Sequence, residues 1–149
     1  MQVFIIGSPY QTAEILDRRR LNKQIIECRQ ILDALNGKKA WSNHPAVLQY
    51  KGHKEWLELY MFCLEDYYSV KYNNVDKDML YLAKEWSDRA FEHKPDFHTE
   101  EYFKQMKRRL YQKNEKHYQQ WSHLGKSLDN WYYIDGKFVK YRNGKKIKE

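Results

Sequence analysis

The sequence predicts an all-α fold: a compact, single-domain helical bundle with a short N-terminal extended arm and a small C-terminal β-hairpin. Apolar residues recur at intervals of three and four through several long segments, which is the helical period. Alternating, β-like residues appear in 131–145, around an Asp-Gly dipeptide that favours tight hairpins. The 149 residues, 42% of them hydrophobic, are enough for one domain with a substantial core.

The first third of the chain predicts an arm and two helices. Residues 2–6 are a short apolar run, read as a strand or an extended arm, and Gly7-Ser8-Pro9 ends it. A short helix is expected over 9–16. A long helix follows over 16–35, and Asn36-Gly37 is a good stop for it.

The remainder predicts four helices and the hairpin. A short helix begins near Pro45, and a long one spans 54–72. A third long helix is expected over 75–90, with its inward residues at Met79, Leu82, Ala83, Trp86 and Ala90. The fourth covers 100–121, with Thr99 as its N-cap and a candidate interruption at Lys113-Asn114. The hairpin, 131–149, forms a basic, aromatic tail with a second turn signal at Asn143-Gly144.

The helix over 16–35 carries an unusual polar set beside its apolar stripe. The stripe consists of Leu21, Ile25, Cys28, Leu32 and Leu35. Arg20, Gln24 and Glu27 fall on the flank of this core face. A carboxylate held among cations at a core boundary is a candidate for acid–base chemistry. A solvated salt-bridge flank is the alternative interpretation of the same spacing.

Charge is unevenly distributed along the chain. The net charge of +7 divides into +4 over residues 1–53, −6 over 54–101 and +9 over 102–149. A basic head and tail around an acidic middle predict one cationic face after folding, which suits a phosphate-rich partner. A merely basic soluble protein is the alternative.

Two segments are rich in groups that stack or form hydrogen bonds. The loop over 38–53 contains Trp41, Asn43, His44, Tyr50 and His53. The tail interleaves aromatic residues with cations, a pattern that suits contact with a nucleic-acid backbone together with base stacking. A small hairpin with a solvated basic end is the alternative for the tail.

Several classes of chemistry lack their signatures. There is no glycine-rich phosphate loop and no nucleophile elbow. The six histidines and two cysteines show no metal-ligand spacing, so we expect neither a metal nor a cofactor. Cys28 and Cys63 read as reduced core residues of a cytoplasmic protein, and we expect no signal peptide, no membrane span and no membrane partner.

Two motifs in order, LDRRRLNKQIIE over 16–27 and NHPAVLQYKGH over 43–53, resemble the pyrimidine-dimer DNA glycosylase family, the endonuclease V-like proteins. The resemblance extends to Trp131-Tyr132-Tyr133 and to the tract from Arg108 to Tyr118, where the chain is more similar to a less-studied branch of small bacterial and phage proteins. The resemblance implies a single endonuclease V-like helical domain over 1–149 that binds and bends duplex DNA and reaches a damaged base. It also implies that the protein is located in the cytoplasm, either of a bacterial host or of a phage-infected cell.

The resemblance also implies a mechanism. Enzymes of this family use the chain's α-amine to attack the sugar C1′, which releases the base and allows strand cleavage. A carboxylate assists, and by resemblance that residue is Glu27. Residue 2 is Gln2, whose bulk generally blocks methionine removal, so the amine is expected to belong to Met1.

We therefore expect a DNA-repair N-glycosylase, with abasic-site lyase activity as a further expectation. The residues expected to bind substrate or DNA are Arg19, Arg20, Lys23, Gln24, Asn43, His44, His53, Trp131, Tyr132 and Lys137. The alternative is a protein on the same scaffold that binds a nucleotide or nucleic acid without lyase chemistry and captures or cleaves a small nucleotide signal. The sequence leaves the oligomeric state open.

Overall fold

The computed structural model describes residues 1–148, apart from the side chains of Met79 and Tyr81. The α-helices are α1 (Pro9–Ile15), α2 (Arg18–Leu35), α3 (Pro45–Gln49), α4 (Lys54–Tyr72), α5 (Asp78–Glu92) and α6 (Glu100–Lys113). A 3₁₀ helix spans Gln119–Leu124, and the strands are β1 (Asn130–Ile134), β2 (Lys137–Arg142) and β3 (Lys145–Lys146). The structure confirms a mostly helical chain with a small antiparallel sheet near its C-terminus.

The start of α2 differs from the prediction by two residues. Leu16 and Asp17 have extended backbones, with ψ of 135° and 156°, so they separate α1 from α2. The Asp17 carboxylate accepts a hydrogen bond from the N–H of Arg20 and caps the helix. The apolar stripe was predicted correctly at Leu21, Cys28 and Leu32, which are buried.

The core is built on α4, which packs against α1, α2 and α5. Trp56 on α4 donates its indole N–H to the carbonyl of Ala90 on α5, at 2.9 Å. Cys28 and Cys63 are both buried free thiols. No helix among residues 1–148 combines the length and apolar character needed to cross a membrane.

The inward face of α5 was predicted in part wrongly. Leu82 and Trp86 are 48% and 39% exposed, and the side chain of Met79 lies outside the described residues. The buried positions are instead small: Ala83, Ser87 and Ala90. Small side chains at this spacing let the helix approach its neighbours closely, and the Ser87 hydroxyl accepts a hydrogen bond from the N–H of Tyr10 on α1. The helix also begins at Asp78, three residues later than expected.

The fourth long helix ends where the candidate interruption was placed. Thr99 caps α6 by accepting a hydrogen bond from the N–H of Tyr102, as predicted. The helix ends at Lys113, because Asn114 leaves the helical conformation with φ −153° and ψ 83°. Residues 115–121 therefore do not continue it.

The predicted hairpin is present and is extended by a third strand. β1 pairs with β2, and β2 with β3, in antiparallel order. Both turns have two successive residues with positive φ: Asp135 and Gly136, then Asn143 and Gly144. Asn-Gly and Asp-Gly tolerate this left-handed conformation, which is why they join twisted strands.

One buried histidine makes the fold sensitive to acid. His98 is 2% exposed and is surrounded by aromatic rings, and its Nε2 lies 2.8 Å from the Tyr50 hydroxyl. Burial, reinforced by the charges of His53 and Lys94, lowers the pKa of His98 to about 3. The folded protein therefore holds this imidazole neutral at a pH where the unfolded chain would protonate it.

We predict that the free energy of unfolding falls as the pH drops through about 6.5 toward 3. The folded-state pKa is depressed, so the unfolded state binds more protons across this window. His98→Phe, which keeps a ring but cannot titrate, should remove on the order of 2 kcal/mol of the loss between about pH 7 and pH 4.5. Urea titrations at both pH values measure this, and His123→Phe at an exposed position is the control. If the free energy of unfolding fell equally in His98→Phe and in the unsubstituted protein, the acid sensitivity would not be due to His98.

Candidate functional site

The N-terminal arm is held on α2 by two polar side chains. Glu27 Oε2 accepts a hydrogen bond from the N–H of Gln2 at 2.9 Å. Gln24 donates to the carbonyl of Gln2 at 2.8 Å, and its Oε1 accepts from the N–H of Phe4 and from the Tyr60 hydroxyl. Buried backbone groups need such partners, so these two side chains serve the arm as a neighbouring strand would.

Strand β1 holds the arm from the other side. The Tyr132 hydroxyl donates a hydrogen bond to the carbonyl of Met1 at 2.8 Å. The Gln2 side-chain amide donates to the carbonyl of Trp131 at 3.3 Å. Met1 and Gln2 are therefore held between α2 and β1.

The polar flank of α2 is not a solvated salt-bridge surface. Glu27 is 7% exposed and Gln24 is 1% exposed. Arg20 is half-buried, whereas Arg19 and Lys23 are exposed. The structure thus places a buried carboxylate beside the chain's first residues.

Burial and cations from two helices act on the pKa of the Met1 amine. Burial lowers the pKa of the Met1 amine below its ordinary value of 8.0, and the Glu27 carboxylate opposes this effect. Lys23 of α2, then Lys113 and Arg109 of α6, lower the amine's pKa further by charge repulsion. A lowered pKa increases the fraction of neutral, nucleophilic amine near neutral pH.

Lys113 and three other cations, Arg20, Lys23 and Arg109, affect one another's charge and form the cationic cluster of the site. Desolvation, reinforced by the positive charges of Arg109, Arg20 and Lys23, lowers the pKa of Lys113 to about 8, and Glu27 opposes the shift. The arm's Phe4 ring lies beneath two of these cations. The Arg20 guanidinium is 5.5 Å and the Lys113 ammonium 5.9 Å from the ring centroid.

Arg109 keeps its positive charge uncompensated by direct contact. Its three hydrogen bonds go to uncharged acceptors: Asn130 Oδ1 at 2.8 Å, Gln112 Oε1 at 3.0 Å and the Ser127 carbonyl at 3.2 Å. Among residues 1–148, no ion pair within 4.0 Å engages Arg20, Lys23, Arg109 or Lys113. These cations are available to an anionic ligand.

His44 lies at the edge of this cluster. Its Nδ1 accepts a hydrogen bond from the N–H of Ala46 and caps α3, and its ring centroid is 6.1 Å from that of Tyr132. Burial, together with the charge of the N-terminal amine, lowers the pKa of His44 to about 4. The imidazole is therefore neutral near neutral pH, with its Nε2–H as a donor. Asn43 is exposed in the turn before it.

Other expected site residues occupy different surroundings. Gln24 and Tyr132 are engaged in holding the arm. The Trp131 ring packs against Phe138 and under Lys140, whose ammonium is 4.8 Å from the ring centroid. His53 packs against Phe97, and Lys137 is exposed beside the first hairpin turn.

The sequence reasoning omitted Arg109 and Lys113 from the site. Their four-residue spacing puts both on one face of α6. The sequence predicts Lys113-Asn114 as a helix interruption and includes Arg109 and Lys113 in the tract that carries the resemblance, but it assigns neither residue to the site. In the part of the chain that the structure describes, no group of three or more His, Cys, Asp or Glu side chains is arranged to hold a metal ion.

Comparison with known proteins gives one family. A family model described as pyrimidine dimer DNA glycosylase matches residues 1–80, which cover the arm and α1 to α4. No curated protein matches the chain. No solved structure matches it either.

We predict that Gln24→Leu detaches the arm and destabilises the fold. The substitution leaves the Gln2 carbonyl, the Phe4 N–H and the Tyr60 hydroxyl without their partner, and each unsatisfied buried group costs about 1–3 kcal/mol. The free energy of unfolding should fall by about 3 kcal/mol or more in urea titrations. Gln30, on the same helix, forms none of these bonds, so Gln30→Leu should change the free energy of unfolding little. Similar losses in the two variants would show that the arm does not depend on Gln24.

We predict opposite shifts of the Met1 amine's pKa in two variants. Glu27→Gln should lower that pKa, because the carboxylate stabilises the ammonium form. Lys113→Met should raise it, because a repelling cation is removed. The pH dependence of amine acylation, followed by mass spectrometry of the N-terminal peptide, measures both. Glu65→Gln, on α4, is the matched control, and shifts of the same sign in the two variants would contradict the arrangement.

Proposed function

The chain belongs to the pyrimidine dimer DNA glycosylase family, and from this premise we propose that it is a DNA-repair N-glycosylase with abasic-site lyase activity. The observation that supports this most directly is the N-terminal amine of Met1, next to the residue that Glu27 binds, with a pKa that burial and the cations Lys23, Lys113 and Arg109 lower. The proposed substrate is a damaged or modified base in duplex DNA. One functional unit would consist of the Met1 amine, the Glu27 carboxylate, the cations of α6 and the contacts of β1 with the arm. We therefore also propose that the chain acts as a single domain.

The proposed reaction begins at the Met1 amine. Its lone pair forms a bond to C1′ of the target nucleotide while the glycosidic bond breaks, and the base leaves with that bond's electrons and takes up a proton. The bound nitrogen loses one proton, and its lone pair then forms the C1′=N bond of a protonated Schiff base while the C1′–O4′ bond breaks and O4′ keeps that bond's electrons and takes up a proton. Removal of a C2′ proton then expels the 3′ phosphate by β-elimination and cuts the strand.

Glu27 would stabilise positive charge and transfer protons during these reaction steps. A carboxylate beside C1′ stabilises the positive charge that develops on the sugar, and it can accept or return a proton. Its hydrogen bond from the Gln2 N–H holds one oxygen in place, which orients the carboxylate before substrate binds. Arg20, Lys23, Arg109 and Lys113 would bind the phosphates on either side of the target sugar.

The position of Gln2 bears on which amine reacts. Its side chain is 2% exposed and donates to the Trp131 carbonyl, so Gln2 is built into the arm rather than presented to substrate. We propose that the reacting amine is that of Met1, whose carbonyl Tyr132 holds.

A nucleotide-binding protein is the second candidate. Four uncompensated cations around one carboxylate would also suit the phosphate of a mononucleotide or cyclic nucleotide. A large thermal shift with such a nucleotide, together with weak DNA binding, would favour it over the glycosylase.

We expect Glu27→Gln to lower base release by about 100-fold or more, since a positioned acid–base group typically contributes at least that factor. The assay uses duplex DNA with a cyclobutane pyrimidine dimer, and borohydride reduction traps the Schiff base. The amide keeps the shape of the side chain and can still accept from the Gln2 N–H, so the fold should be retained. Mass spectrometry of the trapped adduct should place the bound sugar on Met1.

Glu65→Gln is the matched control, because Glu65 is a surface residue paired with Arg29. It should leave trapping and base release unchanged. Absence of any adduct from the unsubstituted protein, on dimer and on abasic DNA alike, would reject the lyase step. Base release that Glu27→Gln does not alter would reject the role of Glu27.

A further inference from the structure

Trp41 is exposed on a strained backbone. It lies between α2 and α3, its side chain is 52% exposed, and its φ is +64°. The left-handed region is costly for a bulky residue, and such strain concentrates at functional positions. Core packing does not account for an indole that faces solvent.

A chain of contacts connects Trp41 to the amine. The Trp41 ring lies edge-on to His44, with 5.9 Å between ring centroids, and its carbonyl accepts the N–H of His44 at 2.9 Å. His44 in turn lies against Tyr132, whose hydroxyl holds the carbonyl of Met1. The indole therefore lies at the rim of the candidate site, next to the His44 imidazole, whose pKa the charge of the amine helps to lower.

Two lysines share the loop of Trp41. Lys38 and Lys39 are both exposed there, and the Lys38 ammonium lies 3.4 Å from the Asp33 carboxylate. Other exposed aromatic residues have a different setting. Trp86 lies against Phe62 on the α4–α5 side, in the part of the chain that carries excess negative charge.

We propose that Trp41 is a stacking residue for DNA: its indole packs on the face of a nucleobase that becomes exposed when the duplex opens at the target nucleotide. An aromatic ring stacks on any base, because every base presents a π-face. Opening would bring the sugar of the target nucleotide out of the stacked duplex and toward the half-buried Met1. The indole is already exposed before DNA binds. This inference rests on the proposed function.

The test compares two duplexes of equal length. One contains a tetrahydrofuran abasic-site analogue, which leaves neighbouring bases unpaired or unstacked, and the other is intact. Trp41→Ala should weaken binding to the abasic duplex by roughly 5- to 150-fold, the range of one base–aromatic stack, and binding to the intact duplex by less than about twofold. Trp41→Phe should recover most of the loss. Trp86→Ala, the matched control, should bind both duplexes as the unsubstituted protein does.

A second variant separates stacking from folding. Trp41→Gly removes the indole and also relieves the backbone strain, because glycine adopts positive φ freely. It should lose the same affinity for the abasic duplex while its Tm stays equal or rises. A 2-aminopurine placed beside the abasic site should be quenched by the unsubstituted protein and by Trp41→Phe, and should remain brighter with Trp41→Gly.

Two results would overturn the stacking role while the proposed function stands. Both require that the unsubstituted protein forms a borohydride adduct on abasic DNA. In the first, Trp41→Ala binds the abasic duplex as Trp86→Ala does. In the second, Trp41→Ala loses equal affinity for both duplexes, which would make Trp41 a general backbone contact. If the unsubstituted protein binds neither duplex and forms no adduct, the proposed function fails, and the stacking role fails with it.

Discussion

The burial of an arm that has no sheet neighbour is the constraint on which the site depends. Residues 2–5 lie in the core, and their backbone groups need partners that water cannot supply. Gln24 and Glu27 of α2 provide those partners. The same contacts that stabilise the arm therefore also hold a buried carboxylate next to Met1.

Opposing charges act on the pKa of the Met1 amine without forming close ion pairs. The Glu27 carboxylate favours the charged amine, while burial and the cations of α2 and α6 disfavour it. Because those cations form no close ion pairs within residues 1–148, they remain available for phosphates. Phosphates bound to these cations would neutralise them and raise the amine's pKa, so that anion binding would be coupled to the protonation of Met1.

Much of the helical fold follows from local signals. Caps at Asp17 and Thr99 and the hairpin turn at Asp135-Gly136 are determined by short-range hydrogen bonding and φ preferences, and the period of α2 by its apolar stripe. The inner face of α5 was not predictable from bulk apolar residues, because small side chains fill it. The Arg109 and Lys113 contribution depends on how α6 packs across the arm, which no spacing within α6 reveals. The family match covers residues 1–80, which include Met1 and Glu27, and does not extend to that helix.

The clamp between Met1 and Tyr132 joins the first residue to one 131 positions later. The contacts of the arm with α2 lie within residues 1–35, whereas those with Trp131 and Tyr132 can form only after β1 has emerged from the exit tunnel. Closure of the arm against β1 is therefore a late, long-range step of folding, after α1 to α6 have been synthesised. Vectorial folding of this kind completes the surroundings of Met1 only when β1 is in place.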